Sequence, residues 1–83
     1  MTRRVTLLTT ASCALCDHAK DVLARLAQEL DLVVEEVDVG SDEGRAMAEA
    51  SGMAFPPGVM LEGEPFSYGR LSERKLRRAL LAS

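Results

Sequence analysis

Two cysteines supply the thiol chemistry available to this sequence. Cys13 and Cys16 stand three positions apart, and no other cysteine occurs among the 83 residues. An apolar run precedes them and a helical pattern follows, so the first cysteine lies beside backbone N–H groups that lack an intrahelical partner. In C-x-x-C pairs at helix N-termini the cysteine pKa falls to roughly 3.5 to 7.5, against about 8.5 for a free cysteine. The pattern therefore favours a thiolate at Cys13, with Cys16 as the thiol that resolves a mixed disulfide.

A metal site is the main alternative for this cysteine pair. His18 would be a third ligand, but a structural zinc site takes four protein ligands and the sequence has no second cysteine pair. We therefore expect no metal and no cofactor within one chain. A zinc ion or iron–sulfur cluster held between two chains, with two cysteines from each, stays open as an alternative. A purely structural disulfide is less favoured, because so short a ring adds little stability.

Two charged or titratable residues follow the second cysteine. Asp17 would lie in the first turn of the helix, where a carboxylate caps the helix or tunes the neighbouring thiol. His18 comes two positions after Cys16 and would point about 200° around the helix from it. We therefore predict that Asp17 either caps the helix or tunes the thiol, with capping favoured, and that His18 is solvated.

Length and composition indicate one small folded domain over residues 1–83, expected to be a monomer. Hydrophobic residues make up 47% and charged residues 28% of the sequence, which is ordinary for a folded globular protein. Basic residues crowd the C-terminus, yet the net charge is −3 and aromatic residues are 4%. This balance favours a solvated basic helix over a nucleic-acid site.

The sequence also predicts no membrane association. No run approaches the roughly 18 apolar residues of a membrane span. The apolar run near the N-terminus is shorter than the roughly 7 to 15 residues of a secretory h-region, and threonines interrupt it. We therefore expect a cytoplasmic protein, in which a lone C-x-x-C is typical of redox or metal chemistry.

The elements that position the cysteines begin with a strand, a helix and a strand. Residues 5–8, Val-Thr-Leu-Leu, are mostly apolar and do not alternate strictly with polar residues, which predicts a short strand buried on both faces. Apolar residues then recur at helical spacing from Leu15 to Leu30, and a β-branched run follows over residues 32–39. This order predicts a parallel βαβ unit with the cysteines at its first turn.

A second helix and a hairpin follow in the sequence. Ser41 or Asp42 can cap this helix and Gly52 can end it, with an apolar side formed by Ala46, Met47 and Ala50. Residues 59–61 and 65–68 flank a Glu-Gly-Glu turn and are predicted to pair antiparallel.

The last predicted element is a helix that begins at Ser72. Leu71 and Leu76 are spaced for a hydrophobic staple at its start. The whole chain then reads β-α-β-α-β-β-α. The predicted fold class is α/β, a four-stranded mixed sheet flanked by three helices.

The dithiol turn and a later proline resemble the thioredoxin superfamily. The motif Cys13-Ala14-Leu15-Cys16-Asp17 is similar to that of small glutaredoxin-like proteins, which have leucine before the second cysteine and an acidic residue after it. Pro57 leads into an apolar strand, and this resembles the cis-proline that faces the dithiol in that superfamily. The resemblance covers the chain and implies a thioredoxin-like fold.

Site residues follow from the same resemblance. It implies that substrate lies along Pro57 and Pro56 and along the residues beside the cysteines, which are Ser12, Ala14 and Leu15. In the superfamily the residue before the cis-proline offers its backbone N–H and C=O to the substrate. Here that residue is Pro56, which has no N–H, so we expect weaker capture of the substrate backbone. The glycine pair and aspartate that glutaredoxins use for glutathione have no clear match.

The resulting functional expectation is a thiol-disulfide oxidoreductase that takes part in cell redox homeostasis. Its substrate would be a disulfide-containing protein or a small thiol compound, and a reductase or low-molecular-weight thiol would return the electrons. The alternatives are the dimer-bridged metal or cluster site and a non-catalytic thioredoxin-fold interaction module.

Overall fold

Seven elements follow one another in the predicted order. The structure, a computed structural model, describes residues 2–82. Its elements are β1 (Arg3–Thr9), α1 (Ala14–Glu29), β2 (Leu32–Asp38), α2 (Asp42–Ser51), β3 (Gly58–Leu61), β4 (Glu64–Tyr68) and α3 (Glu73–Leu81). The predicted α/β class with three helices and a four-stranded mixed sheet is confirmed.

The four strands form one sheet in the order β2-β1-β3-β4. β1 pairs parallel with β2 and antiparallel with β3, and β4 completes the hairpin with β3. β1 is therefore a central strand, flanked on both sides. The prediction that its apolar run is buried on both faces is confirmed, since Leu7 is 1% and Leu8 0% exposed although they point to opposite faces.

The two faces carry separate hydrophobic clusters. The larger cluster joins the sheet to α1 and α3 through ten buried residues, among them Leu7, Leu23, Leu26 and Leu76. The smaller cluster lies on the α2 face and contains Leu8, Val37 and Met60. The sequence thus folds into three layers, with α1 and α3 on one side and α2 on the other.

The inward face of α2 differs from the prediction. Ala46 and Ala50 are exposed, whereas Gly44 is buried and Met47 and Ala48 pack against the smaller cluster. A Cβ at position 44 would collide with the backbone of residues 38 and 39. The absence of a side chain at Gly44 therefore lets the helix approach the end of β2, and this contact sets which residues face inward.

The predicted helix ends are confirmed for α2 and α3. The Ser41 hydroxyl accepts the Gly44 N–H at 3.0 Å, and Gly52 ends α2 with a φ of 70°. The Ser72 hydroxyl accepts the Lys75 N–H at 3.2 Å at the start of α3. Leu71 is buried in the larger cluster together with Leu76, as a hydrophobic staple requires.

Ion pairs connect α1 to α3 at the surface. Arg25 donates to Glu73 at 2.8 Å, and Arg77 donates to both carboxylate oxygens of Glu29 at 2.9 and 3.2 Å. The hydrogen bond from Arg77 lowers the pKa of Glu29, and the hydrogen bond from Arg25 lowers the pKa of Glu73. Both arginine pKa values are raised by the same contacts. These pairs are solvent-exposed, so they align the helices rather than supply much stability.

Within residues 2–82, none of the helices has the length and apolar character that a membrane crossing demands.

Candidate functional site

Three loops meet at one end of the sheet and form the candidate site. Leu8 near the end of β1 pairs with Gly58 at the start of β3, and Gly58 pairs with Tyr68 at the end of β4. The loops that follow β1, precede β3 and follow β4 therefore lie side by side. A hydrogen bond from the Gly69 N–H to the Pro57 carbonyl, 2.8 Å long, joins the second loop to the third.

The first loop carries the two cysteines at the start of α1. A disulfide joins Cys13 to Cys16, with their Cα atoms 5.2 Å apart, a usual separation for this bond. The two thiols differ in access, because Cys13 is partly exposed as the N-cap residue whereas Cys16 is 1% exposed within the helix. A reagent that approaches from solvent therefore meets the sulfur of Cys13 first.

One backbone N–H of α1 donates to the sulfur of Cys13. The Cys16 N–H donates to Cys13 Sγ at 3.1 Å, and the Asp17 N–H donates to the Cys13 carbonyl at 3.1 Å. A sulfur in this position lies at the positive end of the helix dipole and accepts an otherwise unpaired helix N–H. Both effects favour negative charge on Cys13.

The tight turn into α1 uses a strained backbone at Ser12. This residue has a φ of 53°, in the left-handed region that non-glycine residues seldom occupy. Strain of this kind persists only where the surrounding structure enforces it. Here it lets the chain leave β1 and present Cys13 at the N-cap within four residues of Thr9.

Asp17 does not act as the predicted cap. The sulfur of Cys13 occupies the capping position instead. The Asp17 carboxylate is exposed and lies 3.9 Å from Lys20 Nζ, which also lies 3.2 Å from the Glu36 carboxylate. The cap prediction is wrong because the cysteine that begins the motif is itself the N-cap residue.

The second loop brings the two prolines to the same end of the sheet. Pro57 is fully buried, joined by a cis peptide bond to Pro56, which is partly exposed. Beside the cysteines, Ser12 and Ala14 are exposed and Leu15 is partly buried. The structure therefore assembles on adjoining loops the residues that the resemblance selected.

An aromatic pair borders these loops. Phe55 and Tyr68 are 52% and 49% exposed, and their rings meet edge to face with centroids 5.4 Å apart. A Cβ at Gly69 would lie 3.0 Å from the Phe55 ring, so the glycine gives the ring its room. The pair forms an exposed apolar surface beside the proline loop.

A family comparison agrees with this arrangement. The profile of the glutaredoxin-like domain family (DUF836) matches residues 4–81. The chain belongs to this glutaredoxin-like family. Uncharacterized proteins of Mycobacterium tuberculosis and Mycobacterium bovis are 35% identical to it over 82 residues, which cover 96% of this chain and 84% of each relative.

Solved structures place the glutaredoxin-like chain in the thioredoxin fold. It superposes on a mutant thioredoxin from Halobacterium salinarum with a TM-score of 0.74 and 26% identity, covering 96% of this chain and 73% of the thioredoxin. Yeast mitochondrial thioredoxin 3 gives a TM-score of 0.71 at 20% identity, with 98% and 78% covered. A thioredoxin-like protein from Clostridium perfringens gives 0.79 at 14% identity, with 98% and 70% covered. The fold and the Cys13–Cys16 pair together fit thiol-disulfide redox chemistry.

The glutaredoxin-like domain also has a cavity that the sequence did not predict. It has a volume of about 360 Å³ and is lined by His18, Arg70, Leu71, Ser72, Glu73 and Arg74. His18 is partly buried there rather than solvated, and its Nδ1 has no hydrogen-bond partner among the described residues. That prediction is wrong because the start of α3 covers this side of α1, a long-range contact that helical spacing does not reveal. In the sequence, the clustering of Arg70 and Arg74 was the available signal for this cavity.

Residues 2–82 hold no group of three or more histidine, cysteine or acidic side chains placed to bind a metal ion.

Proposed function

We propose that this domain is a thiol-disulfide oxidoreductase in which Cys13 attacks and Cys16 resolves. The observation that carries the proposal is the unequal access of the two sulfurs at the start of α1. Cys13 is partly exposed and accepts a helix N–H, whereas Cys16 is 1% exposed. An attacking thiolate must reach a substrate, while a resolving thiol must reach only its neighbour.

The reaction proceeds through two thiol-disulfide exchanges. In the reduced protein, the Cys13 thiolate attacks one sulfur of the substrate disulfide, and the other sulfur leaves as a thiolate that takes up a proton. Cys16 then loses its proton and attacks Cys13 Sγ, which forms the Cys13–Cys16 disulfide and releases the second substrate thiol. The substrate disulfide gains two electrons and the protein dithiol loses them. A low-molecular-weight thiol or a reductase returns the protein to its dithiol form.

The proposed substrate groove runs along the two loops beside the cysteines. Ser12, Ala14 and Leu15 form one side, and Pro56 and Pro57 form the other. Pro56 can offer its carbonyl but no N–H to an extended substrate, so one of the usual strand-like hydrogen bonds is missing. We propose disulfide-containing proteins or small disulfides of the cytoplasm as substrates.

The reduction potential tests the proposal directly. The protein is equilibrated in a series of thiol-disulfide buffers, and the fraction oxidised is measured by alkylation and mass spectrometry. We expect a reversible two-electron couple between about −180 and −270 mV, the range of working oxidoreductases. A bond that no buffer in this range reduces would instead indicate a structural disulfide.

Single-cysteine variants test the assignment of roles. With a small aromatic disulfide as substrate, Cys16→Ser is expected to accumulate a mixed disulfide at Cys13, since the resolving thiol is gone. Cys13→Ser is expected to lose turnover, and its Cys16 should be alkylated slowly because it is buried. Rapid reaction of Cys13→Ser would contradict the assignment.

A further inference from the structure

Four cationic side chains form a basic face beside the candidate site. Arg70 lies in the loop before α3, and Arg74, Lys75 and Arg78 lie on that helix; all four are exposed. Leu76 and Leu80 point from the opposite side of α3 into the core. At 100° per residue the three helical cations therefore share the outward side of α3. We call these four residues the basic face.

The basic face differs from the other cations of α1 and α3 because it is not neutralised. Arg25 and Arg77 are held by Glu73 and Glu29. Within residues 2–82, no carboxylate lies within ion-pair distance of Arg70, Arg74, Lys75 or Arg78. Glu73 borders the same cavity as Arg70 and Arg74, but its carboxylate is already bound by Arg25 at 2.8 Å and faces Arg77 at 3.6 Å. The positive charge of the face is therefore available to a ligand.

The cavity described above lies between the basic face and the N-terminal part of α1. Arg70 and Arg74 line it together with His18 of α1. At 1.5 Å per residue, His18 lies only about 7.5 Å along the helix from Cys13. A chain that occupies the cavity can thus reach the exposed cysteine within a few residues. The unpartnered Nδ1 of His18 adds a polar atom at this place.

The charge of the rest of the molecule makes the basic face selective. The domain has a net charge of −3, and exposed carboxylates follow one another along β2 and into α2, at Glu35, Glu36, Asp38, Asp42 and Glu43. An acidic partner is repelled by that side and attracted by the basic face. Such an asymmetric charge distribution steers the approach of an acidic partner and fixes the orientation in which it binds.

Resting on the proposed oxidoreductase function, we propose that the basic face docks an acidic segment of a protein whose disulfide reacts with Cys13. A protein fits better than a nucleic acid. The cavity walls contain leucine and glutamate side chains, and they contain no phenylalanine, tyrosine or tryptophan on which a base would stack.

The test uses two synthetic peptides whose flanking residues carry opposite charge. Each has one cysteine bonded to thionitrobenzoate, flanked by two glutamates on each side in one peptide and by two lysines on each side in the other. Reduced protein releases thionitrobenzoate, and its absorbance gives the second-order rate constant. At low ionic strength we expect the acidic peptide to react at least about tenfold faster than the basic one. In about 0.5 M salt the ratio should fall to within about twofold.

A matched pair of variants locates the effect. Arg74→Glu and Arg45→Glu change the net charge equally, but Arg45 is exposed on α2, on the other side of the sheet. Glutamate suits position 74 because it lies in the first turn of α3, so the variant should fold. Arg74→Glu should lower the rate ratio by about threefold or more, and Arg45→Glu by much less.

The other outcomes separate the two proposals. Equal rates with both peptides, or equal losses in both variants, would overturn the docking proposal and leave the oxidoreductase function intact. Displacement of the acidic peptide by a single-stranded oligonucleotide at physiological salt would also overturn it, in favour of a nucleic-acid site. Failure to release thionitrobenzoate from either peptide would overturn the proposed function and with it the docking.

Discussion

The two faces of the sheet differ in how much core supports them. The face under α1 and α3 buries ten residues in one cluster, whereas the α2 face buries Leu8, Val37 and Met60, with four partly buried hydrophobic residues around them. Since burial of apolar surface is the main stabilising term, the first face supplies most of the stability of this small domain.

The candidate site is built on both faces. Cys13 and Cys16 belong to α1, which is anchored in the larger cluster. Pro56 and Pro57 lie in the loop that follows α2, which packs on the smaller one. Segments with few buried contacts open most readily. The comparison therefore predicts that the dithiol is rigid and that the neighbouring loop with Pro56 and Pro57 is more mobile.

The largest expected effect is a truncation in the larger cluster. Leu23→Ala removes a 1% exposed side chain and should lower the free energy of unfolding by about 3–5 kcal/mol. Met60→Ala in the smaller cluster, where the side chain is 9% exposed, should cost about 2 kcal/mol, the low end for such a truncation. Urea denaturation measures both values. Equal losses would show that the two faces contribute alike.

A substitution under α2 comes next in size. Gly44→Ala places a methyl group against the backbone of residues 38 and 39 and should cost roughly 1–3 kcal/mol. Hydrogen exchange should accelerate in α2 and the proline loop more than in α1. Glu49→Ala, at an exposed position of the same helix, is the control and should stay within about 0.5 kcal/mol of the parent. Uniform acceleration throughout the sheet would contradict the division between the faces.

Restoration of a donor on the proline loop should have a smaller effect. Pro56→Val supplies the backbone N–H that the loop lacks, and one added hydrogen bond of about 0.5–1.5 kcal/mol should lower KM for a peptide disulfide about two- to tenfold. Pro65→Val replaces a proline in β4, outside the loop that precedes β3, and serves as control. Unchanged or weaker substrate binding by Pro56→Val would contradict the hypothesis that the missing N–H donor limits substrate capture.

The smallest expected effect concerns the ion pairs between α1 and α3. The pKa values of Glu29 and Glu73 are lowered in the folded state, so their contribution is present above the ordinary glutamate pKa and is lost as pH falls through the lowered values. Arg77→Ala should therefore reduce the thermal midpoint slightly at pH 7 and leave it unchanged in acid in which both carboxylates are protonated. Thermal unfolding at both pH values measures the difference. If Arg77→Ala lowered the thermal midpoint more in acid than at neutral pH, the ion pairs would not be the source of the effect.

The sequence was sufficient to predict the fold because local signals agreed with one another. The apolar run before the cysteines, the helical spacing after them and the proline before the third strand each appear in the structure as predicted. Cys13, Cys16 and Pro57 were predicted as site residues because a dithiol turn and a proline at that distance form a recognisable pattern.

Features that depend on contacts between distant segments were not predictable in this way. Glycine has a low helix propensity, so the sequence does not mark Gly44 as an inward-facing residue. It is buried because α2 approaches the backbone of residues 38 and 39 closely at this position. His18 reads as solvated by its angle on α1, but the start of α3 covers it. The cavity and the position of the basic face beside the dithiol follow from that same packing, which periodicity within one helix cannot specify.

The placement of β2 and β4 at the outside of the sheet has a consequence for solubility. Exposed edges invite strands of other molecules to add, which is a common route to aggregation. β2 carries Glu35, Glu36 and Asp38, so two copies that paired along it would set carboxylates side by side. β4 contains Pro65, which removes one N–H donor from that strand. Charge on one border and proline on the other therefore disfavour strand pairing between neighbouring molecules.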